Sequence, residues 1–281
     1  MNKKNTQFAP PARALSEPAW VPIVVISATV CFLGLFLILP IIVVFIEAFS
    51  KGVSGYAEAL ATPGTWEALR LTLIVVAVVV PINTVFGLAA GWVLSRYEFT
   101  GKETLIALID LPFSISPVVS GLMYVLVFGL QGRFGAWLAE HDIQIIFAAP
   151  GIILATLFVT LPYVAREIVP LMQSRGADEE EAAATLGARG WLIFTKVTLP
   201  NIKWALLYGV IHCTARALGE FGAVSVVSGH IRGETNTVPL HIEILYNEYN
   251  FTASFALAST FVLFGLASLA IKQFLERRHS P

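Results

Sequence analysis

LTLIVVAVVVPINTVFGLAAGWVL, residues 71–94, is hydrophobic all round. A helix that rests on a soluble core has one apolar face and one polar face, whereas a helix apolar on every side belongs in a bilayer or a large bundle. The stretch exceeds the roughly 20 helical residues that cross about 30 Å of hydrocarbon, and tilt absorbs the excess. Pro81 interrupts its hydrogen-bond ladder, which membrane bundles tolerate where neighbouring helices satisfy the freed carbonyl. Gly87 and Gly91 form a small-x-x-x-small pattern, read as a surface for helix packing.

Five more apolar segments flank the one at 70–94, running over 21–46, 104–128, 147–169, 204–228 and 252–274. The fold class expected is an all-α integral membrane protein with six transmembrane helices. The third segment carries Pro112 and Pro117 and is expected to be kinked or discontinuous. Composition agrees: of 281 residues, 56% are hydrophobic and only 13% charged, with mean hydropathy +0.75. Soluble domains carry about a quarter charged residues, which speaks against an ordinary cytoplasmic enzyme. A net charge of −1 without a basic stripe speaks against a nucleic-acid partner. The two cysteines, Cys31 and Cys213, lie in apolar runs and read as small buried hydrophobes. A disulfide framework or a Cys-rich metal site is excluded by that arithmetic.

Basic residues orient the chain. With a cytoplasmic N-terminus, that side collects Lys3, Lys4, Arg13, Arg96, Lys102, Arg175, Arg189, Lys196, Lys203, Lys272, Arg277 and Arg278, against Lys51, Arg70, Arg133 and Arg232 outside. An even number of spans returns the C-terminus to the cytoplasm. The first apolar run is longer than the 7–15 residues of a signal-peptide core, so it is read as an uncleaved span. The domain layout expected is a flexible cytoplasmic tail over 1–19, a six-span domain over 20–278, and a short tail at 279–281.

The longest cytoplasmic interval, 170–203, contains two periodic pieces around a lone glycine. Asp178 is a plausible helix cap, followed by Glu179, Glu180 and Glu181 in the first turn, where the helix dipole favours acidic groups. Ala182, Ala183 and Leu186 share one stripe and Glu180, Glu181 and Ala184 another. Gly187 permits a sharp reversal. Trp191, Phe194 and Val197 mark the second piece, and Pro200 opens the next span near its first turn. A short helix, a turn and a second short helix projecting from the membrane would dock in a groove on another protein; the competing reading is a solvated loop.

Within the spans, Arg216 and Glu220 lie four apart on one helical face. Ionic groups in hydrocarbon must pair, line a polar passage or lie near an interface, and a translocation path and a structural ion pair both remain open here. Asp110 is expected to cap a broken helix rather than relay protons, and it stands with Arg216 and Glu220 among the residues of a translocation path or structural polar pair. Ser114, Ser116 and Ser120 either line an anion path or compensate backbone groups released by Pro117. Pro239 is placed to begin an external helix whose Ile242, Leu245, Tyr246 and Tyr249 form an apolar stripe for the outer interface or an external partner. No phosphate-binding G-x-x-x-x-G-K-[ST] loop, HExxH or GxSxG occurs. No catalytic site, cofactor site or metal site is expected, and the residues taken alone point to a transport subunit energised from elsewhere.

The cytoplasmic segment resembles the EAA loop of permease subunits in bacterial ABC importers: EAA, three residues, Gly, nine residues, Ile, one residue, Leu-Pro. Glu181, Ala182, Ala183, Gly187, Leu199 and Pro200 match that pattern, with Val197 as a conservative departure. PINTVFGLAAGW at 81–92, DLPFSISPVVSGL at 110–122 and ARALGEFGAVSVVSGHIRGETNTVPLHIEILYNEYN at 215–250 are similar to the sulfate/thiosulfate branch of that family, most closely its CysW-type subunits. The resemblance implies a coupling loop over about 173–203 that docks on a separate ATP-hydrolysing subunit. It also implies a CysT-type sister permease, two ATP-binding subunits that use ATP and Mg2+, an extracytoplasmic sulfate-binding protein, and a place in the bacterial inner membrane. Permeases for molybdate or another oxyanion share these features. An ion-coupled carrier and a non-catalytic membrane scaffold are the readings of another class.

Overall fold

The computed structural model describes Pro18 and residues 20–279. The tail expected over 1–19 lies, apart from Pro18, outside the described residues, as do Ser280 and Pro281 of the expected C-terminal tail. Among the described residues every regular element is helical. Helix α1 (Trp20–Leu33) continues through a π-helical turn at Gly34–Ile38 into α2 (Leu39–Ala48). After them come α3 (Gly52–Leu60), α4 (Pro63–Arg96), α5 (Lys102–Ser114), α6 (Pro117–Phe128), α7 (Gly135–Glu140), α8 (Ala149–Thr160) and α9 (Pro162–Arg175). The chain then forms α10 (Asp178–Thr185) and α11 (Gly190–Ile193), which runs through a second π-helical turn at Phe194–Thr198 into α12 (Leu199–Leu218). It closes with α13 (Gly222–Val227), α14 (Val238–Asn247) and α15 (Phe251–His279).

Among the described residues, four helices are long and apolar enough to cross a membrane: Trp20–Ala48, Pro63–Arg96, Ala149–Arg175 and Phe251–Ala270. The pair α5 and α6 supplies a fifth if counted as one span, and it bends by 106° at its break. The bend sits where the prolines predict it. Pro117 forces its predecessor out of the helical region, and Ile115 and Ser116 are extended at ψ 132° and 134°. Helix α12, part of the fifth segment of the sequence reading, is not among the four, because Asn201, Lys203, His212 and Arg216 interrupt its apolar surface.

The interior seam is α9 held between α4 and α12. Lipid tails are as apolar as leucine, so helices in a bilayer associate through close packing of small residues. A Cβ on Gly87 would lie 2.6 Å from Val164 Cβ, one on Gly91 2.8 Å from Ile168 Cγ2, and one on Gly209 3.0 Å from Val164 Cα. Val164 is therefore a knob gripped by glycines from both sides. Pro162 ends the regular ladder of α8. The Leu161 N–H turns to the Phe158 carbonyl at 3.2 Å. Buried Asn83 on α4 donates from Nδ2 to the Leu157 carbonyl at 3.2 Å and to Thr160 Oγ1 at 2.8 Å.

The first helix is different: across Trp20–Ala48 only Ala48 is buried, and the contact with α15 comes from α2. Cys31 is consequently exposed, against the expectation of burial, whereas Cys213 on α12 is buried beside Val164 and Ala217. Pro239 stands in the first turn of α14 as expected. Its apolar stripe divides: Ile242 and Leu245 pack with Ala68, Val238 and Leu257, while Tyr246 and Tyr249 are exposed.

Candidate functional site

The segment 178–200 folds as a reversed pair of helical pieces. Gly176 turns the chain at φ +69°, which leaves Ala177 as the cap residue of α10 and Asp178 as its first helical residue. The expectation that Asp178 is the cap is thus corrected, and no side chain closes that cap. Asp178, Glu179, Glu180 and Glu181 fill the first turn, complementing the helix dipole. At the other end Ala188 N–H bonds to the Ala183 carbonyl at 3.1 Å and Gly187 N–H to the Ala184 carbonyl at 2.9 Å. This is a Schellman closure, which needs a left-handed residue after the cap. Gly187 has φ +83°, and a Cβ there would meet nothing within 4 Å. Backbone conformation, not crowding, calls for glycine.

The reversal leaves its apolar tip in the open. Leu186 is 89% exposed and Trp191 76%; Glu181 and Ala182 are exposed and Ala183 half-buried. Trp191 stacks on Phe194 with centroids 5.8 Å apart, and Phe194 meets Trp92 of α4 edge-on at 5.8 Å. Val197 and Leu199 are half-buried, and Pro200 is exposed in the first turn of α12. The hairpin is therefore anchored through its second arm and bare at its turn.

Sequence reasoning missed the anchor of the first arm. Arg96, at the end of α4, donates from Nε to Glu180 Oε2 at 2.6 Å and from Nη2 to Glu180 Oε1 at 3.0 Å. Its Nη1 bonds the Met172 carbonyl of α9 at 3.0 Å, and Thr198 Oγ1 donates to Glu180 Oε1 at 2.7 Å. Asn201 donates to Glu179. The acidic run signalled a helix start, but nothing in it distinguished Glu180 from its neighbours.

A second polar region runs along α5, α9 and α12. Arg216 Nη2 and Glu220 Oε2 are 2.6 Å apart, and Glu220 is buried. Glu220 Oε1 also accepts the Ala223 N–H at 2.9 Å, closing the start of α13 after the chain breaks at Gly219. This break packs on the one between α5 and α6: a Cβ on Gly222 would sit 3.0 Å from Pro117 Cβ, and one on Gly121 2.7 Å from the Ala223 carbonyl. Ser120 is buried and donates to the Pro117 carbonyl at 2.6 Å, so its hydroxyl serves the broken backbone. Ser114 and Ser116 are exposed.

Asp110 does not cap a helix. It lies inside α5 and accepts from Arg166 Nε of α9 at 2.8 Å, with the guanidinium 4.2 Å from the Phe113 ring centre. Beside it Glu167 Oε1 meets His212 Nδ1 at 3.0 Å. Arg166, Glu167 and His212 were passed over in the sequence; the signal available was an adjacent Arg-Glu pair at the end of an apolar run, with His212 one turn before Arg216. The Asp110–Arg166 pair is 35% and 54% exposed, the Arg96–Glu180 pair only 13% and 12% at Glu180 and Arg96.

Residues 83–281 match the family described as binding-protein-dependent transport system inner membrane component. A protein of Synechocystis named sulfate transport system permease protein CysW is 50% identical over 258 residues, covering 92% of this chain and 94% of that one. The chain belongs to this family, in its CysW-type branch. It is a multi-pass inner-membrane protein and a non-catalytic permease subunit of an ABC transporter. The Escherichia coli protein named sulfate transport system permease protein CysT is 36% identical to this CysW-type chain, over 90% of it and 91% of the relative. A solved bacterial alginate ABC transporter, in complex with an alginate-bound periplasmic protein, has the same fold. Its TM-score is 0.75 at 15% identity, over 92% of this chain and 94% of that one.

Proposed function

We propose that this permease is the membrane passage of an ATP-driven complex that brings sulfate, and thiosulfate with it, into the cytoplasm. The observation that carries the reading is the 178–200 hairpin, whose turn presents Leu186 and Trp191 to solvent while both arms are tied to membrane helices. A chain without a phosphate-binding loop needs an outside motor, and this element is its handle. Asp178, Glu181, Ala182, Ala183, Leu186, Gly187, Val197, Leu199 and Pro200 form the coupling element that meets one of two ATP-binding subunits, which hold ATP and Mg2+. A sulfate permease 50% identical over nearly the whole chain supports the substrate.

In this reading the chain crosses the bilayer six times with both termini in the cytoplasm, α5–α6 and α12–α13 forming broken spans. A CysT-type permease stands opposite, and an extracytoplasmic sulfate-binding protein delivers the anion. Asp110, Ser114, Ser116, Arg216 and Glu220 lie on the side of the passage, joined by Arg166, Glu167 and His212; Ser120 supports the backbone behind them. Sulfate is strongly hydrated, so a passage must offer donors in place of water or stay wet. Each cation already faces a carboxylate, which gives a path that admits a dianion without trapping it. ATP binding draws the two motor subunits together, and the handles turn that motion into a switch between inward-open and outward-open states. Such a switch requires contacts that differ between the states.

Reconstitution into liposomes with the ATPase, the sister permease and the binding protein tests this. Labelled sulfate should enter only with ATP and only with every component present. Uptake that persists without the ATPase, or that serves molybdate and not sulfate, would replace the reading.

A further inference from the structure

Glu180 does more than begin a helix. Its carboxylate takes both prongs of the Arg96 guanidinium and the Thr198 hydroxyl, and Arg96 in turn holds the Met172 carbonyl. Arg96 ends α4, Met172 lies in the last turn of α9, and Thr198 stands immediately before α12. One carboxylate thus fastens α10 to the cytoplasmic ends of three membrane helices, the same three that form the glycine-gripped seam. The paired side chains are about seven-eighths hidden and Thr198 is buried. The local fields agree with the arrangement, since the cation meets two helix C-termini and the anion one N-terminus. Charge-assisted, two-pronged bonds are the strong and directional kind.

Glu181, the next residue, is exposed and lies outside this cluster. The two adjacent carboxylates therefore divide their work: Glu181 faces what docks, and Glu180 faces the membrane helices. We propose that the Arg96–Glu180–Thr198 cluster is the rigid joint through which displacement of α10 reaches α4, α9 and α12 together, with Glu180 its positioning residue. Without the joint, α10 rocks on its Gly176 and Gly187 turns, both at positive φ, and nucleotide hydrolysis no longer moves the seam. This rests on the reading of 178–200 as the element that docks the motor.

The test measures sulfate imported per ATP hydrolysed by the full complex in liposomes, normalised to assembled complex. The paired variant Arg96→Gln with Glu180→Gln keeps polar, hydrogen-bonding side chains at both positions while removing both charges. Its ratio should fall about fivefold or more, the scale on which residues in a coupling network act. Thr198→Val, a milder change that leaves the ion pair, should lower the ratio about twofold to threefold. Glu180→Gln alone should lower it no less than the pair does, because the two residues act as one unit. A purely structural role would reduce uptake and hydrolysis in proportion and leave the ratio unchanged in all three, and that result overturns the joint. Should the paired variant fail to assemble, an unchanged ratio in Thr198→Val overturns it by itself. A wild-type complex that hydrolyses ATP yet imports no sulfate would instead sink the functional reading beneath it.

Discussion

Two arginine–carboxylate pairs in this chain have the same chemistry and opposite surroundings. Arg96–Glu180 is two-pronged, nearly dry and embraced by further hydrogen bonds. Asp110–Arg166 is joined by one bond, half open, and steadied by the face of Phe113. A pair of the first kind closes its own site, since each charge makes three hydrogen bonds within the chain. A pair of the second kind leaves donors available to whatever lies alongside. The first is built to hold a shape and the second to meet a surface or a solute.

Removing one partner from each pair should break this contrast most visibly. Glu180→Ala leaves a hidden guanidinium without its anion, a change that costs about 3 kcal/mol or more in buried pairs. A large drop in the thermal midpoint of the detergent-purified chain is the expected outcome. Asp110→Ala leaves Arg166 where water reaches it, and should cost about 1 kcal/mol or less. Equal losses in the two variants would mean that exposure does not separate the sites.

Transport should not follow that order of stability. Arg166→Gln is expected to insert and fold normally but to cut sulfate uptake about tenfold, as for loss of one charge-assisted contact worth about 1.4 kcal/mol. Normal uptake would make that pair part of the wall rather than the passage.

Much of the frame was legible because its causes are local. Pro112 and Pro117 announced a bend, and Ser116 is extended for the reason proline imposes on any predecessor. Gly87 and Gly91 announced a packing face and received Val164 and Ile168. Gly187 announced a reversal, and its Schellman bonds are drawn from residues three to five apart. The ion pairs behave differently. Arg96 and Glu180 are 84 residues apart, Asp110 and Arg166 56 apart. No spacing rule links such positions, so Asp110 was assigned a local cap it does not make. Arg216 and Glu220, one helical turn apart, could be paired by reading. The polar residues of α12 were likewise visible but were averaged into an apolar span.

The hairpin sharpens the comparison further, because its turn has neither pair's support. Gly187→Val forces a β-branched residue to φ +83°, a conformation that costs about 1–2 kcal/mol for residues with a Cβ. Insertion should be unaffected, while co-purification of the ATP-hydrolysing subunit should fall about tenfold. Unaltered co-purification would show that the turn's shape is immaterial to docking.

The smallest effect is expected at a buried imidazole held by a neutral amide. His241, in α14, faces Asn236 Nδ2 at 3.1 Å. Burial, reinforced by Arg232, lowers its pKa below the ordinary 6.5. As pH falls through 6.5 the unfolded chain takes up the proton before the folded one, so stability is full above that pH and declines below it. Thermal midpoints measured between pH 7.5 and 5 should show this acid loss in the wild type and less of it in His241→Gln. An unchanged slope would assign the acid sensitivity elsewhere.

The account turns on the exposed tip of the 178–200 hairpin being where a separate nucleotide-hydrolysing subunit grips the chain. A photoreactive crosslinker placed on Leu186→Cys in an assembled, transporting complex measures this directly. The account predicts capture of the ATP-hydrolysing subunit, at a yield that changes when ATP is bound. Capture of lipid or the external binding protein only, or modification of that cysteine by an impermeant reagent added outside the membrane, would contradict it.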